Sequence, residues 1–118
     1  MRKLFFLIGS SGSGKTTAAR AVEKMEFLDL VVCYSDSMPV PSTEEMVKKF
    51  GSQEEWQRQN TIAWVKKIRE EYLAEKDVLF DIQSRPLFID EACGACGIRD
   101  YEVILFDCSD EERRRRLV

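Results

Sequence analysis

The sequence has 118 residues, of which 44% are hydrophobic and 33% are charged, and its formal net charge is −3. This length and this proportion of hydrophobic and charged residues fit one globular domain with its own core, and the chain is too short for two domains. The acidic balance disfavours general nucleic-acid binding, which normally uses a basic surface. The absence of histidine removes the commonest metal ligand and the commonest general base.

The N-terminal stretch MRKLFFLIG carries two basic residues before a short apolar run. That run is shorter than the apolar region of a signal peptide, and no stretch of the sequence approaches the roughly 18 apolar residues of a membrane span. We therefore expect a soluble, cytoplasmic protein without a membrane partner. The pair Cys93 and Cys96 has no histidine to complete a zinc site, so we interpret it as two small, reduced residues on one helical face.

Strands and helices are predicted to alternate along the chain. Unbroken apolar or β-branched runs predict four strands, at residues 3–8, 28–34, 78–82 and 101–106. Helical spacing of apolar residues and three Ser-x-x-Glu capping patterns predict helices at 15–26, from Ser42 to Gly51, from Ser52 through Tyr72, at 86–96 and from Ser109 onward. This order predicts a three-layer α/β fold, in which residues 1–118 form a single domain with a parallel sheet and helices on both faces.

The C-terminal part of the sequence fits a whole domain poorly. The helix predicted from Ser109 has a capping pattern at its start and no stop signal, and sheets of this kind usually have about five strands or more. We expect the 118 residues to be a C-terminally incomplete domain that lacks its last strand and helix. The alternative is that a partner chain completes the sheet, and a homodimer is one such arrangement.

The stretch between the first strand and the first helix is rich in glycine. Residues 9–16 read GSSGSGKT and match G-x-x-x-x-G-K-[ST] at every required position. Such a loop wraps phosphate oxygens with successive backbone N–H groups, which requires backbone angles and a close approach that glycine tolerates best. The following helix directs its positive N-terminus at the same phosphates. Lys15 is predicted to reach the β- and γ-phosphates, and Thr16 to offer its hydroxyl to Mg²⁺.

This loop resembles that of the P-loop NTPases, and its place in a small α/β domain is similar to the nucleoside and nucleotide kinases and the shikimate kinase-like proteins. The resemblance implies ATP and Mg²⁺ as cofactors. The ATP-binding residues that it implies are Gly9, Ser10, Ser11, Gly12, Ser13, Gly14, Lys15, Thr16 and Thr17.

The third predicted strand ends in an acid, in the stretch VLFDIQSR. Asp81 looks like the Walker B carboxylate that holds Mg²⁺, and the spacing of Asp81 and Arg85 resembles a D-G-x-x-R segment in which the arginine contacts phosphate. Ile82 stands where that family segment has glycine. The alternatives are that Asp81 is a helix cap or structural acceptor and that Arg85 forms a surface ion pair. Asp107 also ends a strand, but helix capping explains it better.

The resemblance also implies an acceptor site and a lid. Asp36 follows the second strand, where related kinases use an aspartate to bind the acceptor hydroxyl or to act as its base. The alternative is an Asx turn at Asp36. Arg113 and Arg116 lie in the run RRRR, where a lid would begin, and are predicted to stabilise the transferred phosphoryl group. The alternative is a solvated basic helix.

The predicted activity is transfer of the γ-phosphate of ATP to a small acceptor, which is a nucleoside, a nucleotide or a small hydroxyl compound. Trp56, Trp64 and Phe50 are candidates for stacking on that acceptor, with burial in the core as the alternative. Two other functions stay open at this point. One is a nucleotide-driven switch or ATPase module, and the other is nucleotide binding without turnover.

Overall fold

Strands and helices alternate in the computed structural model, which describes residues 2–9, 14–37 and 40–105. The elements are β1 (Leu4–Ile8), α1 (Lys15–Lys24), β2 (Leu30–Tyr34), a 3₁₀ turn (Ser35–Ser37), α2 (Thr43–Phe50), α3 (Gln53–Glu71), β3 (Asp77–Asp81), α4 (Pro86–Ala95) and β4 (Tyr101–Leu105). Every element predicted within these ranges is present, with small shifts at its ends. The helix predicted from Ser109 lies outside the described residues.

The four strands form one sheet in the order β2-β3-β1-β4, and each neighbouring pair is parallel. The register places Asp81 of β3 between Leu7 of β1 and Tyr34 of β2. All the strands therefore end at the same edge of the sheet, and the segments that follow them meet there. The predicted α/β class with a parallel sheet is confirmed.

Both faces of the sheet are covered by helices, which explains why the strands read as continuous apolar runs. Leu4, Phe6 and Ile8 of β1 belong to the larger core cluster, which includes residues of α3 and α4. The alternate residue Leu7 belongs to a smaller cluster with Ala19 of α1. No helix within the described ranges is both long and apolar enough to cross a membrane.

Side-chain caps begin two of the helices, as the sequence predicts. Ser42 and Ser52 each accept a hydrogen bond from a backbone N–H three residues later, which satisfies a group that the first helical turn leaves free. Gly51 ends α2 in the left-handed conformation, at φ +90°, where a residue with a Cβ would be strained. These caps fix where α3 begins, and α3 supplies one wall of the site described below.

Two contacts fasten α3 to the rest of the molecule. Thr61 is fully buried, and its hydroxyl lies within hydrogen-bond distance of Ser84, in the segment after β3. Arg58 binds Glu55 of its own helix at 2.9 Å and also pairs with Glu91 of α4. Trp64 is partly buried and packs its ring against Phe80 at the larger core cluster, which agrees with the alternative of burial in the core.

The region between α1 and β2 differs from its prediction at the residue level. α1 ends at Lys24 rather than at residue 26, and β2 begins at Leu30 rather than at residue 28. Glu26 has a positive φ of 51°, which is incompatible with continuation of a right-handed helix. Leu28 is exposed in a turn, so its apolar character did not mark the start of the strand.

The cysteines among the described residues are small residues in or beside the core. Cys33 and Cys93 are buried, and Cys96 is half-buried near the end of α4. Burial raises the pKa of the Cys33 thiol to about 11 and that of Cys93 to about 12. Both groups are therefore neutral thiols at physiological pH, which fits the interpretation made from the sequence.

Candidate functional site

A buried carboxylate lies at the edge of the sheet where the strands end. Asp81 is only 6% exposed. One of its oxygens lies 2.8 Å from Nζ of Lys15, and the other accepts a hydrogen bond of 3.1 Å from the hydroxyl of Thr16. Strand pairing on both sides of β3 and the start of α1 thus bring together three residues from two motifs that lie far apart in the sequence. As the structure stands, Asp81 is the acceptor for both side chains.

The N-terminus of α1 has no side-chain cap from the described residues, in contrast to α2 and α3. Gly14 stands at the capping position with φ +89° and ψ 9°, and no side chain within the described ranges bonds to the helix there. A left-handed angle at this point favours glycine, because a Cβ would meet the following peptide. Since no described side chain bonds to them, the first N–H groups of α1 are candidates for binding an anion, and the helix dipole favours negative charge at the same place. Ser10 to Ser13 lie outside the described residues.

The donor atoms at this end of the sheet fit a magnesium nucleotide. Mg²⁺ prefers oxygen ligands and is commonly held by one or two carboxylates together with substrate phosphates and water. Asp81 offers carboxylate oxygens and Thr16 a hydroxyl within 3.1 Å of them. The described residues contain no group of three or more acidic, cysteine or histidine side chains suited to a metal, so the phosphates would have to supply further ligands.

Asp36 lies in the 3₁₀ turn that follows β2, and two cavities share it. The first has a volume of about 370 Å³ and extends to α1; we call it the α1 cavity, and its lining includes Thr16, Arg20, Glu23, Lys24, Tyr34 and Asp36. The second has a volume of about 190 Å³ and extends to α3; we call it the amide cavity, and its lining includes Asp36, Val40, Trp56, Gln57, Asn60 and Gln83. Asp36 itself is exposed.

Of the three arginines predicted to act in catalysis, the structure describes Arg85, which pairs with an acid other than Asp81. Arg85 precedes α4, where its guanidinium lies 2.9 Å from Glu54 and 5.6 Å from the ring centre of Phe88. Both members of this ion pair are exposed, which matches the alternative of a surface pair, and the phosphate contact of Arg85 stays a prediction. Arg113 and Arg116 lie outside the described residues. Thr17 is an exposed residue of the first turn of α1.

Sequence reasoning missed the three amide side chains that line the amide cavity. Gln57 and Asn60 lie on α3 close to Trp56, and Gln83 lies two residues beyond β3. Neutral amide side chains belong to no recognisable sequence motif. Their spacing along the chain does not predict a shared cavity, because the cavity forms only when α3 packs beside β3. The one available signal was the position of Asn60, four residues after Trp56 and therefore on the same side of the helix.

Comparison with known proteins gives a likeness of fold. No protein-family model matches the chain, and no curated protein matches it in sequence. Similar solved structures include a chain of the Pnkp1/Rnl/Hen1 RNA repair complex, with a TM-score of 0.60 and 21% identity, over 98% of this chain and 36% of that one. An unliganded sugar kinase from Janibacter sp. HTCC2649 has a TM-score of 0.57 and 19% identity, over 99% of this chain and 66% of that one.

The crystal structure of APE1195 is similar to the same degree, with a TM-score of 0.58 and 21% identity, over 98% of this chain and 65% of that one. The chain thus spans about a third to two thirds of the length of these structures. Identities near 20% establish the fold alone. That fold is α/β and kinase-like, which agrees with the class that the sequence predicts.

Proposed function

We propose that this chain binds ATP with Mg²⁺ and transfers the γ-phosphate to a hydroxyl group of a small acceptor. The observation that carries the proposal is the cluster of Lys15, Thr16 and buried Asp81 beside the uncapped start of α1. A cation, a hydroxyl, a carboxylate and free N–H groups at one point are the set needed to hold a magnesium triphosphate. The likeness of the fold to a sugar kinase adds support.

Each group at this edge has a distinct task in the proposed reaction. The backbone of residues 9–14 and the first N–H groups of α1 hold the phosphates, and Lys15 neutralises charge on the β- and γ-phosphates. Thr16 and Asp81 would hold Mg²⁺, which would draw charge from the phosphate oxygens. Lys15 exchanges its contact with Asp81 for one with phosphate. Catalysis then consists of positioning and electrostatic stabilisation.

Asp36 receives the acceptor in this proposal. Its carboxylate lies where the two cavities meet, so it accepts a hydrogen bond from the acceptor hydroxyl, orients the oxygen and takes its proton as the phosphoryl group is transferred. Arg85, Arg113 and Arg116 are assigned to charge stabilisation. A cytoplasmic location is part of the same proposal, and the buried, neutral thiols of Cys33 and Cys93 are compatible with it.

A nucleotide-driven ATPase or switch is the main competing function. Such modules need a carboxylate to activate water, commonly beside the Walker B aspartate. Here the next residue is Ile82, which is 1% exposed and belongs to the hydrophobic core. This packing favours transfer to an acceptor over hydrolysis. Nucleotide binding without turnover is the remaining alternative.

Calorimetric titration with ATP and Mg²⁺ tests the proposal. We expect micromolar binding that requires Mg²⁺ and is lost in Lys15→Ala, whereas Lys66→Ala, at an exposed position of α3, binds as the unmodified chain does. Asp36→Asn is expected to keep ATP binding and to lose acceptor-dependent ADP release. Binding that persists in Lys15→Ala, or that ignores Mg²⁺, contradicts the assignment of the phosphate site.

A further inference from the structure

We propose that the amide cavity binds the ring of the phosphate acceptor and selects uncharged acceptors over phosphorylated or carboxylated ones. The inference rests on the proposed function, because it concerns the acceptor of that reaction. It goes further by naming the chemical class of the acceptor, which comprises neutral ring compounds with hydroxyl groups, such as nucleosides and monosaccharides.

The position of the cavity connects it to the phosphate site. Asp36 lines the amide cavity on one side and the α1 cavity on the other, and the α1 cavity includes Thr16. A ligand that fills the amide cavity therefore presents one end to Asp36. A hydroxyl at that end faces the side of the molecule where Thr16 and Asp81 lie hydrogen-bonded.

The charges around the amide cavity argue against an anionic ligand. Among the described residues that line it, Asp36 is the one charged side chain. Two arginines lie nearby in the sequence, but neither is among the described residues that line the cavity. Arg58 pairs with Glu55 and Glu91, and Arg85 pairs with Glu54. A phosphate or carboxylate in the cavity would lose hydration without gaining a cation and would be repelled by Asp36.

The remaining walls offer what a neutral ring needs. Trp56 supplies a planar face on which a base or a sugar ring can stack. The side-chain amide of Gln57 donates a hydrogen bond of 3.1 Å to the carbonyl of Gln83, which fixes its orientation. Asn60 has no hydrogen-bond partner among the described residues, so its donor and acceptor are free for a ligand.

The size of the cavity sets an upper limit on the ligand. A volume of 190 Å³ holds about six water molecules at ~30 Å³ each. That space suits one ring with its substituents and excludes an oligosaccharide or an extended chain. A monosaccharide ring or the base of a nucleoside occupies the amide cavity, and the reacting hydroxyl group, which a nucleoside carries on its ribose, extends to Asp36.

Fluorescence titration tests the inference directly. Trp56 and Trp64 are the only tryptophans, so the variant Trp64→Phe reports on Trp56 alone. The probes are the common ribonucleosides, a set of aldopentoses and aldohexoses, the nucleoside 5′-monophosphates and sugar acids. We expect a neutral probe to change the Trp56 emission and its charged counterpart to bind at least tenfold more weakly. Calorimetry on the unmodified chain gives the same ranking and does not depend on the stability of the variant.

Substitutions at Asn60 sharpen the test. Asn60→Leu removes the amide and is expected to weaken neutral binding about tenfold, because two ligand groups lose their partners. Gln59→Leu is the matched control, since Gln59 is exposed and bonds to Glu55 outside the cavity. Asn60→Lys introduces a cation and is expected to shift the preference toward monophosphates.

The outcomes separate this inference from the proposed function. Binding of nucleosides alone or sugars alone supports it and identifies the source of the ring. Equal or tighter binding of the charged probes overturns it, as does the failure of every neutral probe to bind at millimolar concentration. ATP binding is measured independently. If the chain binds ATP with Mg²⁺ but binds no neutral ring compound, the proposed function stands and the proposed acceptor class is refuted.

Discussion

The pair formed by Lys15 and Asp81 allows a quantitative test of how the candidate site is held together. The side chains are only 13% and 7% exposed, and the two charges lie 2.8 Å apart. We consider Lys15→Met, Asp81→Asn and the double variant, all measured without nucleotide. Each single substitution leaves one charged or polar group buried without its partner, which is expected to lower the free energy of unfolding.

The expected size follows from the distance and the burial. Two unit charges 2.8 Å apart attract by about 6 kcal/mol at an effective dielectric constant near 20. Removing both ions from water costs several kcal/mol each, so most of that attraction is offset. We expect a coupling energy of about 1–3 kcal/mol in the double-mutant cycle. The double variant is expected to lose less stability than the sum of the losses of the two single variants, and the difference is the coupling energy.

Urea denaturation followed by circular dichroism gives the four unfolding free energies of the cycle. A second cycle on Lys3 and Glu102 is the control, because these charges lie 3.1 Å apart but their side chains are 32% and 59% exposed. Exposed pairs contribute about 0–1 kcal/mol. The reasoning is refuted if the coupling of Lys15 and Asp81 is no larger than that of the exposed pair.

Two further predictions concern stability. Burial raises the pKa of Cys33 to about 11 and that of Cys93 to about 12, so the folded chain holds both protons more tightly than the unfolded chain. We expect the contribution of the two thiols to the free energy of unfolding to be complete below about pH 8 and to be lost as the pH rises through 9 to 12. We also expect both thiols to react with iodoacetamide more slowly than Cys96, as measured by mass spectrometry. Equal rates would contradict their burial. Ser52→Ala removes the cap of α3 and is expected to cost about 1 kcal/mol in urea denaturation, whereas Ser52→Asp should cost less than half as much; equal losses would contradict a capping role.

The sequence is informative where a function needs residues close together in the chain. Gly14, Lys15 and Thr16 are adjacent, and a phosphate-binding loop requires these residue types, so a candidate phosphate site could be predicted without a structure. Asp81 was recognisable because an acid that ends an apolar run stands out. Its hydrogen bond to Thr16 still required the sheet, since 65 residues separate the two.

The limits of prediction appear where packing decides the outcome. The amide cavity depends on how α3 rests against the segment after β3, a contact made by buried Thr61 and Ser84. No local pattern marks either residue. Arg85 is a second example of a contact that local spacing does not predict. Its spacing from Asp81 suggested a phosphate contact, but in the structure its guanidinium pairs with Glu54, which precedes it by about thirty residues in the chain.

The strand order β2-β3-β1-β4 has a consequence for how the molecule folds. β1 pairs with β3 and β4 but not with β2. Thr16 and Asp81 of the candidate site therefore come into contact only when the long chain segment between them, which includes β2, α2 and α3, has formed a loop. Such non-local pairing is slow, because the entropy of closing a long loop is lost before its contacts form. No half of the chain can assemble the candidate site alone. A nucleotide that recognises it would bind the folded chain only, and its apparent affinity would report the folded fraction.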